Sequence, residues 1–126
     1  MKRILVVDDE PAITRLTKLN LESTGDYEVF TETRGSHAVE AARACRPDLI
    51  LLDIMMPDML GSDVAEALHA DPALRHIKVV FLTVMLKKRK ENNHQDIGGQ
   101  HFIAKPCSTA ELISTIEEVL GEPDKT

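Results

Sequence analysis

Residues 4–10 of the chain have the sequence ILVVDDE, in which four aliphatic residues are followed directly by three acids. Two later segments have a similar form, with LILLD at residues 49–53 and FIAK at residues 102–105. Short apolar runs of this length are typical of strands buried on both faces of a parallel sheet. The charged residues that close these runs are Asp8, Asp9, Asp53 and Lys105. Since parallel strands end at one common edge, these four side chains are predicted to converge there.

Such a convergence of charges has a chemical consequence. Three carboxylates held close together cannot all stay ionised unless positive charge is nearby. A lysine ammonium group and a hard cation with oxygen ligands are two ways to supply that charge. The sequence therefore predicts a cation-dependent functional site at the carboxyl edge of the sheet.

Length and composition exclude several classes of protein. The 126 residues suffice for one domain with a full core but not for two. A net charge of −6 and an aromatic content of 3%, with no Trp, argue against a nucleic-acid-binding surface. No apolar stretch is long enough to span a membrane, and the first apolar run ends at Asp8, too early for a secretory signal. We therefore expect a cytoplasmic domain with no direct nucleic acid or membrane binding.

The cysteines and histidines have no spacing that predicts a disulfide framework or a zinc site. We expect the two cysteines, Cys45 and Cys107, to be reduced thiols. We expect surface or loop positions for the five histidines, which are His37, His69, His76, His94 and His101.

Strand and helix signals alternate along the chain. Strands are predicted at residues 3–8, 27–33, 48–53, 77–82 and 100–104. Helices are predicted at residues 11–24, 36–45, 62–70 and 87–97, with a last one capped by Ser108 and ending at Gly121. Helical spacing predicts core contacts for Leu16, Leu19 and Leu21. The alternation indicates an α/β fold, a doubly wound parallel sheet of five strands with helices on both faces.

Two polar segments complete this description. We assign residues 1–121 to one domain and residues 122–126 to a polar tail or the start of a linker. The basic run at residues 87–90 opens the predicted fourth helix, where its charge opposes the helix dipole. We interpret it as a solvated face, with a docking patch for an acidic partner or a mobile switch element as the alternatives.

Four motifs together resemble the receiver domain of two-component response regulators. They are VVDDE at residues 6–10, LLDIMMP at residues 51–57 with Gly61 after it, FLT at residues 81–83, and Lys105-Pro106. Asp53 lies 44 residues after Asp9, Thr83 lies 30 residues after Asp53, and Lys105 lies 22 residues after Thr83. These intervals agree with the pattern of the family, and the match covers nearly the whole chain. The resemblance implies the strand order 2-1-3-4-5, one of the common orders of doubly wound sheets.

The resemblance also implies the chemistry of the site. Asp53 is the expected phospho-acceptor, and a sensor histidine kinase or a histidine phosphotransfer protein is the expected donor. Mg²⁺ is the expected cofactor, bound by Asp9, Asp53 and the backbone carbonyl of Met55, with Asp8 nearby. Lys105 is expected to pair with Asp53 first and with a phosphoryl oxygen later.

The resemblance implies a conformational output as well. Thr83 is expected to move toward the phosphoryl group, and Phe102 to turn inward as the second switch residue. The expected receiver of the signal is a downstream protein target or a covalently attached output domain. A phosphorylation-dependent homodimer is left open. Val84, after the switch threonine, is bulkier than is typical of the family and is expected to crowd the site.

Other interpretations differ in testable features. The chain could be a receiver fragment of a larger response regulator or of a hybrid histidine kinase, which would have the same chemistry. A Mg²⁺-dependent phosphohydrolase would carry a second acid two residues after its nucleophile, where this chain has Met55. A flavodoxin-like flavin-binding domain would have a Ser/Thr-rich phosphate loop where this chain has the acids of residues 8–10.

Overall fold

The computed structural model describes residues 1–85, 93–97 and 99–121. Its strands are β1 (Lys2–Val7), β2 (Tyr27–Glu32), β3 (Leu49–Asp53), β4 (Lys78–Thr83), β5 (His94–Ile97) and β6 (Gln100–Ala104). Its helices are α1 (Pro11–Glu22), α2 (Ala38–Cys45), α3 (Gly61–Ala70) and α4 (Thr109–Leu120), and a 3-10 turn at Gly35–His37 precedes α2. None of the helices in these ranges has both the length and the apolar character of a membrane span.

The strands form one sheet in the order β2-β1-β3-β4-β6-β5. All neighbouring strands are parallel except β5, which runs antiparallel to β6. The predicted α/β fold is confirmed, and the five predicted strands take the order 2-1-3-4-5 in their own numbering. The predicted count of five strands is wrong, because β5 adds a sixth at the edge.

The helix predicted at residues 87–97 is wrong at its end, because residues 94–97 form strand β5. Residues 94–97 pair with residues 100–103 as a hairpin, and Gly99 in the turn has a φ of +83°. A glycine pair after a polar segment fits a tight hairpin turn as well as a helix stop. Before the hairpin, the buried side chain of Asn93 donates to the carbonyl of Ala104 and accepts from its N–H, which extends the pairing. Residues 87–92, with the basic run, lie outside the described residues.

Two hydrophobic clusters cover the two faces of the sheet. One contains Ile4, Val29, Leu51 and Ile116, and the other contains Leu5, Ile50, Val64 and Phe81. Alternate residues of β1 and β3 enter opposite clusters, as expected for strands buried on both faces. Ser108 caps α4 as predicted, in a capping box in which the side chains of Ser108 and Glu111 accept from each other's backbone N–H groups.

α1 packs on the sheet through a different face from the one predicted. Leu21 is buried, but Leu16 is 55% exposed and Leu19 is 67% exposed. The buried positions are Thr14 and Leu21, and the hydroxyl of Thr14 donates to the carbonyl of Pro11. Because this polar side chain is satisfied inside the helix, it can face the sheet while the two leucines face outward.

The expectation that all the histidines are surface or loop residues is wrong for His101 and for His94, which lies on β5 with 9% of its side chain exposed. The side chain of His101 lies on β6 with 7% of the residue exposed, and its Nδ1 is 2.9 Å from Nε2 of His94. Nδ1 of His94 is in turn 2.6 Å from Oε2 of Glu118 on α4. These contacts connect the β5–β6 hairpin to α4. Cys45 and Cys107 are not joined in a disulfide.

Candidate active site

The strand ends bring the charged residues of the sequence motifs together at one edge of the sheet. Asp8 and Asp9 follow β1, and Asp53 is the last residue of β3. Lys105 follows β6, and its N–H donates to the carbonyl of Thr83, the last residue of β4. β3 lies between β1 and β4, so Asp53 occupies the centre of the group.

Three carboxylates form the core of this site. One ligand oxygen from each of Asp8, Asp9 and Asp53 lies within 4.8 Å of the other two. Asp8 is 1% exposed and Asp53 is 7% exposed, whereas Asp9 is half-buried. Oδ1 of Asp8 accepts from the backbone N–H of Glu10, which fixes the direction of this carboxylate.

Lys105 supplies positive charge to the cluster. Its Nζ is 2.9 Å from Oδ2 of Asp8 and 3.6 Å from Oδ1 of Asp53. The ammonium group therefore lies nearer to Asp8 than to the predicted first partner, Asp53. Burial lowers the pKa of Lys105, but the hydrogen bond and the charge of Asp8, followed by the charge of Asp53, outweigh burial and raise it overall. Lys105 is thus a permanent cation at neutral pH.

The environment of Asp53 disfavours its charged form. Burial is the largest cause of its raised pKa, and the charges of Asp8 and Asp9 act in the same direction. Lys105 and the backbone N–H of Met55 oppose this shift but do not cancel it. The charge of Lys105 alone therefore does not offset the burial of Asp53 and the negative charge of its neighbours.

Replacing Asp53 with Asn is expected to stabilise the metal-free protein at pH 7 by about 1 kcal/mol, the scale of coupling between charged groups in contact. Because the folded-state pKa of Asp53 is above its unfolded value, stability falls as pH rises through this interval. The advantage of the Asn variant should therefore disappear below about pH 4, where Asp53 is protonated in both states. Urea unfolding across this pH range, with the exposed Asp63→Asn as control, measures the difference. A less stable Asp53→Asn variant at pH 7 would contradict this expectation.

The donor set fits a hard divalent cation. The cluster consists of carboxylate oxygens alone, which are the ligands that Mg²⁺ takes in proteins. Met55, whose backbone carbonyl is the further predicted ligand, lies in the loop after β3 with its side chain directed to solvent. A cation bound by these oxygens would supply the positive charge that Asp53 lacks.

The two predicted switch residues lie on neighbouring strands. Thr83 is buried, and its Oγ1 accepts from the backbone N–H of Met85 at 3.0 Å. Phe102 is half-buried on β6 and stacks on Phe81 of β4, with 5.3 Å between ring centroids. Val84, expected to crowd the site, is 68% exposed.

Gly61 allows the loop after β3 to close tightly against Asp53. Its N–H donates to the carbonyl of Ile54 at 2.8 Å. A Cβ atom on Gly61 would lie 2.4 Å from the carbonyl oxygen of Asp53 and 2.8 Å from Cα of Ile54. Backbone approaches backbone here, so only glycine fits.

Asp58, in the same loop, is not marked by any of the sequence motifs. Its carboxylate accepts from the backbone N–H groups of Gly35 and Ser36, which follow β2. The partners are 22 and 23 residues away along the chain. No local sequence pattern marks such a pairing, because it depends on how two loops meet in the folded protein.

A family model described as "Response regulator receiver domain" matches residues 4–117, which is most of the chain. The chain belongs to the response regulator receiver domain family. This confirms the resemblance stated from the motifs and places the chain in two-component signalling. Receiver domains are signalling switches that generally bind Mg²⁺ at an acidic pocket, and this chain has such a cluster of three aspartates.

Relatives of this receiver domain span nearly its whole length. The polar-differentiation response regulator DivK of Brucella anthropi is 36% identical over 121 residues, which cover 96% of this chain and 98% of that protein. The receiver domain of a signal transduction histidine kinase from Syntrophus aciditrophicus is 33% identical, with a TM-score of 0.80 and coverages of 100% and 95%. The chemotaxis protein CheY4 of Vibrio cholerae is 27% identical, with a TM-score of 0.80 and coverages of 94% and 98%.

Proposed function

We propose that this receiver domain accepts a phosphoryl group on Asp53 from a sensor histidine kinase or a histidine phosphotransfer protein. The observation that supports this most is the cluster at one sheet edge, where three carboxylates meet the ammonium group of Lys105. Asp53 is central in the cluster, and its pKa is raised even beside Lys105. A carboxylate in this environment would be stabilised in its charged form by a bound cation. Acids that served only to cap α1 would not need Lys105 from another strand, and the N-cap residue of α1 is Glu10.

The proposed transfer is a displacement at phosphorus. An oxygen of Asp53 forms a bond to phosphorus, the P–N bond of the phosphohistidine breaks, and its electron pair stays on the imidazole. Lys105, with Nζ 3.6 Å from Oδ1 of Asp53, would pair with an oxygen of the arriving group. The hydroxyl of Thr83 would donate a hydrogen bond to another oxygen of the phosphoryl group. Mg²⁺, held by Asp9, Asp53 and the Met55 carbonyl with Asp8 nearby, would offset charge on the transferred oxygens.

The phosphoryl group would then shift the balance between two conformations. Thr83 would leave its contact with the N–H of Met85, at 3.0 Å, to reach the new oxygen. This movement would displace the end of β4, on which Phe81 stacks with Phe102. Phe102 carries no polar group, so its further burial would leave nothing unsatisfied. In this proposal the domain modifies only itself and turns over no separate substrate.

Exposed apolar side chains in the segments that follow the site residues suit a protein partner. Met55, Val84 and Met85, just after β3 and β4, are more than half exposed. So are Leu16 and Leu19 on α1, the helix that follows the acidic pair. Exposed apolar patches with a polar rim are typical of a protein-binding surface. We propose that the donor protein contacts these side chains during transfer.

The signal would then pass from the switched domain to another protein or domain. The receiver of the signal would be a downstream protein target or a covalently attached output domain, in the cytoplasm. In this proposal residues 1–121 form the receiver domain, and residues 122–126 form a tail or the start of a linker.

The test is the intact mass of the protein after incubation with acetyl phosphate and Mg²⁺. We expect a gain of one phosphoryl group in the wild type and in the control Asp63→Asn, and no gain in Asp53→Asn or without metal. A phosphoryl group retained by Asp53→Asn would contradict the assignment of Asp53. No gain in the wild type, either from acetyl phosphate or from histidine-phosphorylated donor proteins, would reject the proposed function. Steady hydrolysis of a phosphomonoester would favour a phosphohydrolase instead.

A further inference from the structure

We propose that Asp58 is a positioning residue for the Mg²⁺ site, because it ties the loop after β3 to the turn after β2. This inference rests on the proposed function, since it concerns the loop that carries the Met55 carbonyl. Asp58 is three residues from Met55 and does not itself join the carboxylate cluster. Its effect on bound metal would therefore pass through the backbone.

The carboxylate of Asp58 holds two successive backbone N–H groups at once. Oδ1 accepts from Gly35 at 3.2 Å, and Oδ2 accepts from Ser36 at 3.0 Å. These N–H groups open the 3-10 turn before α2 and have no partner within the turn. The N–H and the hydroxyl of Ser36, followed by the N–H of Gly35, lower the pKa of Asp58, so the carboxylate is ionised at neutral pH.

Apolar contacts press the same two segments together. Gly35 is buried, and a Cβ atom there would lie 3.0 Å from Cε of Met56 and 3.1 Å from Cβ of Met59. Met56 is itself 6% exposed and belongs to the core cluster of Leu5 and Phe81. The loop after β3 thus packs against the turn after β2, and Asp58 supplies the hydrogen bonds of that contact.

The other side of the loop touches the phospho-acceptor. The N–H of Ile54 donates to the carbonyl of Leu82 at 3.2 Å, and the N–H of Gly61 donates back to Ile54. Between these two points, the N–H of Met55 stabilises the charged form of Asp53. The exposed side chain of Met55 gives its backbone no anchor of its own. Loss of the hydrogen bonds from Gly35 and Ser36 to Asp58 would therefore let the Met55 peptide move relative to Asp53.

Asp71 provides a matched control. It lies between α3 and β4, and its Oδ1 accepts from the backbone N–H of Ala73 at 2.9 Å. Its other oxygen accepts from Arg43 at 2.7 Å. Asp71 therefore makes the same kind of loop contact as Asp58, but at the edge of the sheet where β4 begins.

The experiment measures Mg²⁺ affinity by calorimetry, and thermal stability in parallel, for Asp58→Ala, Asp58→Asn and Asp71→Ala. We expect about tenfold weaker Mg²⁺ binding in Asp58→Ala, as for lost outer-shell partners of metal sites. Asp58→Asn should fall between Asp58→Ala and the wild type, because an amide offers one acceptor oxygen instead of two. Asp71→Ala should bind Mg²⁺ as the wild type does, although it also loses stability.

Two results would overturn the inference and are separable from failure of the proposed function. If the wild type binds Mg²⁺ and is phosphorylated, but Asp58→Ala and Asp58→Asn bind Mg²⁺ equally well, Asp58 is a structural cap only. If Asp71→Ala weakens Mg²⁺ binding as much as Asp58→Ala does, the effect reflects general loss of stability. A wild type that neither binds Mg²⁺ nor accepts a phosphoryl group would reject the proposed function as well.

Discussion

Replacing Lys105 with Met is expected to lower the free energy of unfolding of the metal-free protein by about 3–5 kcal/mol at neutral pH, as for other broken buried pairs. The variant keeps most of the apolar stem but removes the ammonium group that lies 2.9 Å from Asp8. Asp8 is 1% exposed, so its carboxylate would be left buried beside two others. The pKa of Lys105 is raised, so its contribution is fully present at neutral pH and is lost only when pH rises through the folded-state value.

Denaturant unfolding of three variants separates this loss from other effects. The control is Lys2→Met, which removes a charge from an exposed position at the start of β1. The double variant Lys105→Met/Asp8→Asn should recover much of the loss, because the stranded charge is gone. Saturating Mg²⁺ should also reduce the difference in stability between Lys105→Met and the wild type, since a bound cation would neutralise part of the carboxylate charge. A Lys105→Met variant as stable as the control would contradict the role of Lys105 as the counter-charge of the cluster.

Replacing Gly61 with Ala is expected to lower the free energy of unfolding by about 3 kcal/mol, at the upper end for overpacked sites. The new methyl group would lie 2.4 Å from the carbonyl oxygen of Asp53. Backbone atoms cannot rotate away as a flexible side chain can, so β3 and the loop must separate. Because Asp53 and Met55 lie on the two sides of this contact, we also expect phosphorylation by acetyl phosphate to fall at least about tenfold.

The matched control for this variant is Gly121→Ala. Gly121 has a negative φ of −78°, and a Cβ atom there would approach the carbonyl of Glu117 only to 3.2 Å. We therefore expect a small change in stability and no change in phosphorylation. Equal phosphorylation of Gly61→Ala and the wild type would show that the loop can relax without disturbing the site.

The centre of the sheet could be predicted because β1 and β3 have apolar runs buried on both faces. These runs are too short for an ordinary helix, and their closing acids mark where the strands end. The gathering of Asp8, Asp9, Asp53 and Lys105 then follows from parallel strands having a common edge. The structure places these residues together, while their roles in phosphoryl transfer remain predictions.

The incorrect predictions came from patterns that fit two structures equally well. Leu16, Leu19 and Leu21 do not define one helix face, and the buried Thr14 shifted the packing face of α1 away from two of these leucines. The polar segment before the glycine pair fits either a helix end or the outer strand of a hairpin. Asp58 gave no sequence signal, because its partners belong to another loop.

The pairing of Lys105 with Asp8 joins two residues that are 97 positions apart in the chain. Asp8 follows the first strand and Lys105 follows the last described one, whereas Asp53 comes from the middle of the sequence. Closing a loop of this length costs conformational entropy, which is offset only when the intervening chain also makes its own contacts. A chain in which β1 or β6 has not joined the sheet would therefore not assemble the charged cluster. The same ion pair thus links formation of the candidate site to formation of the whole sheet.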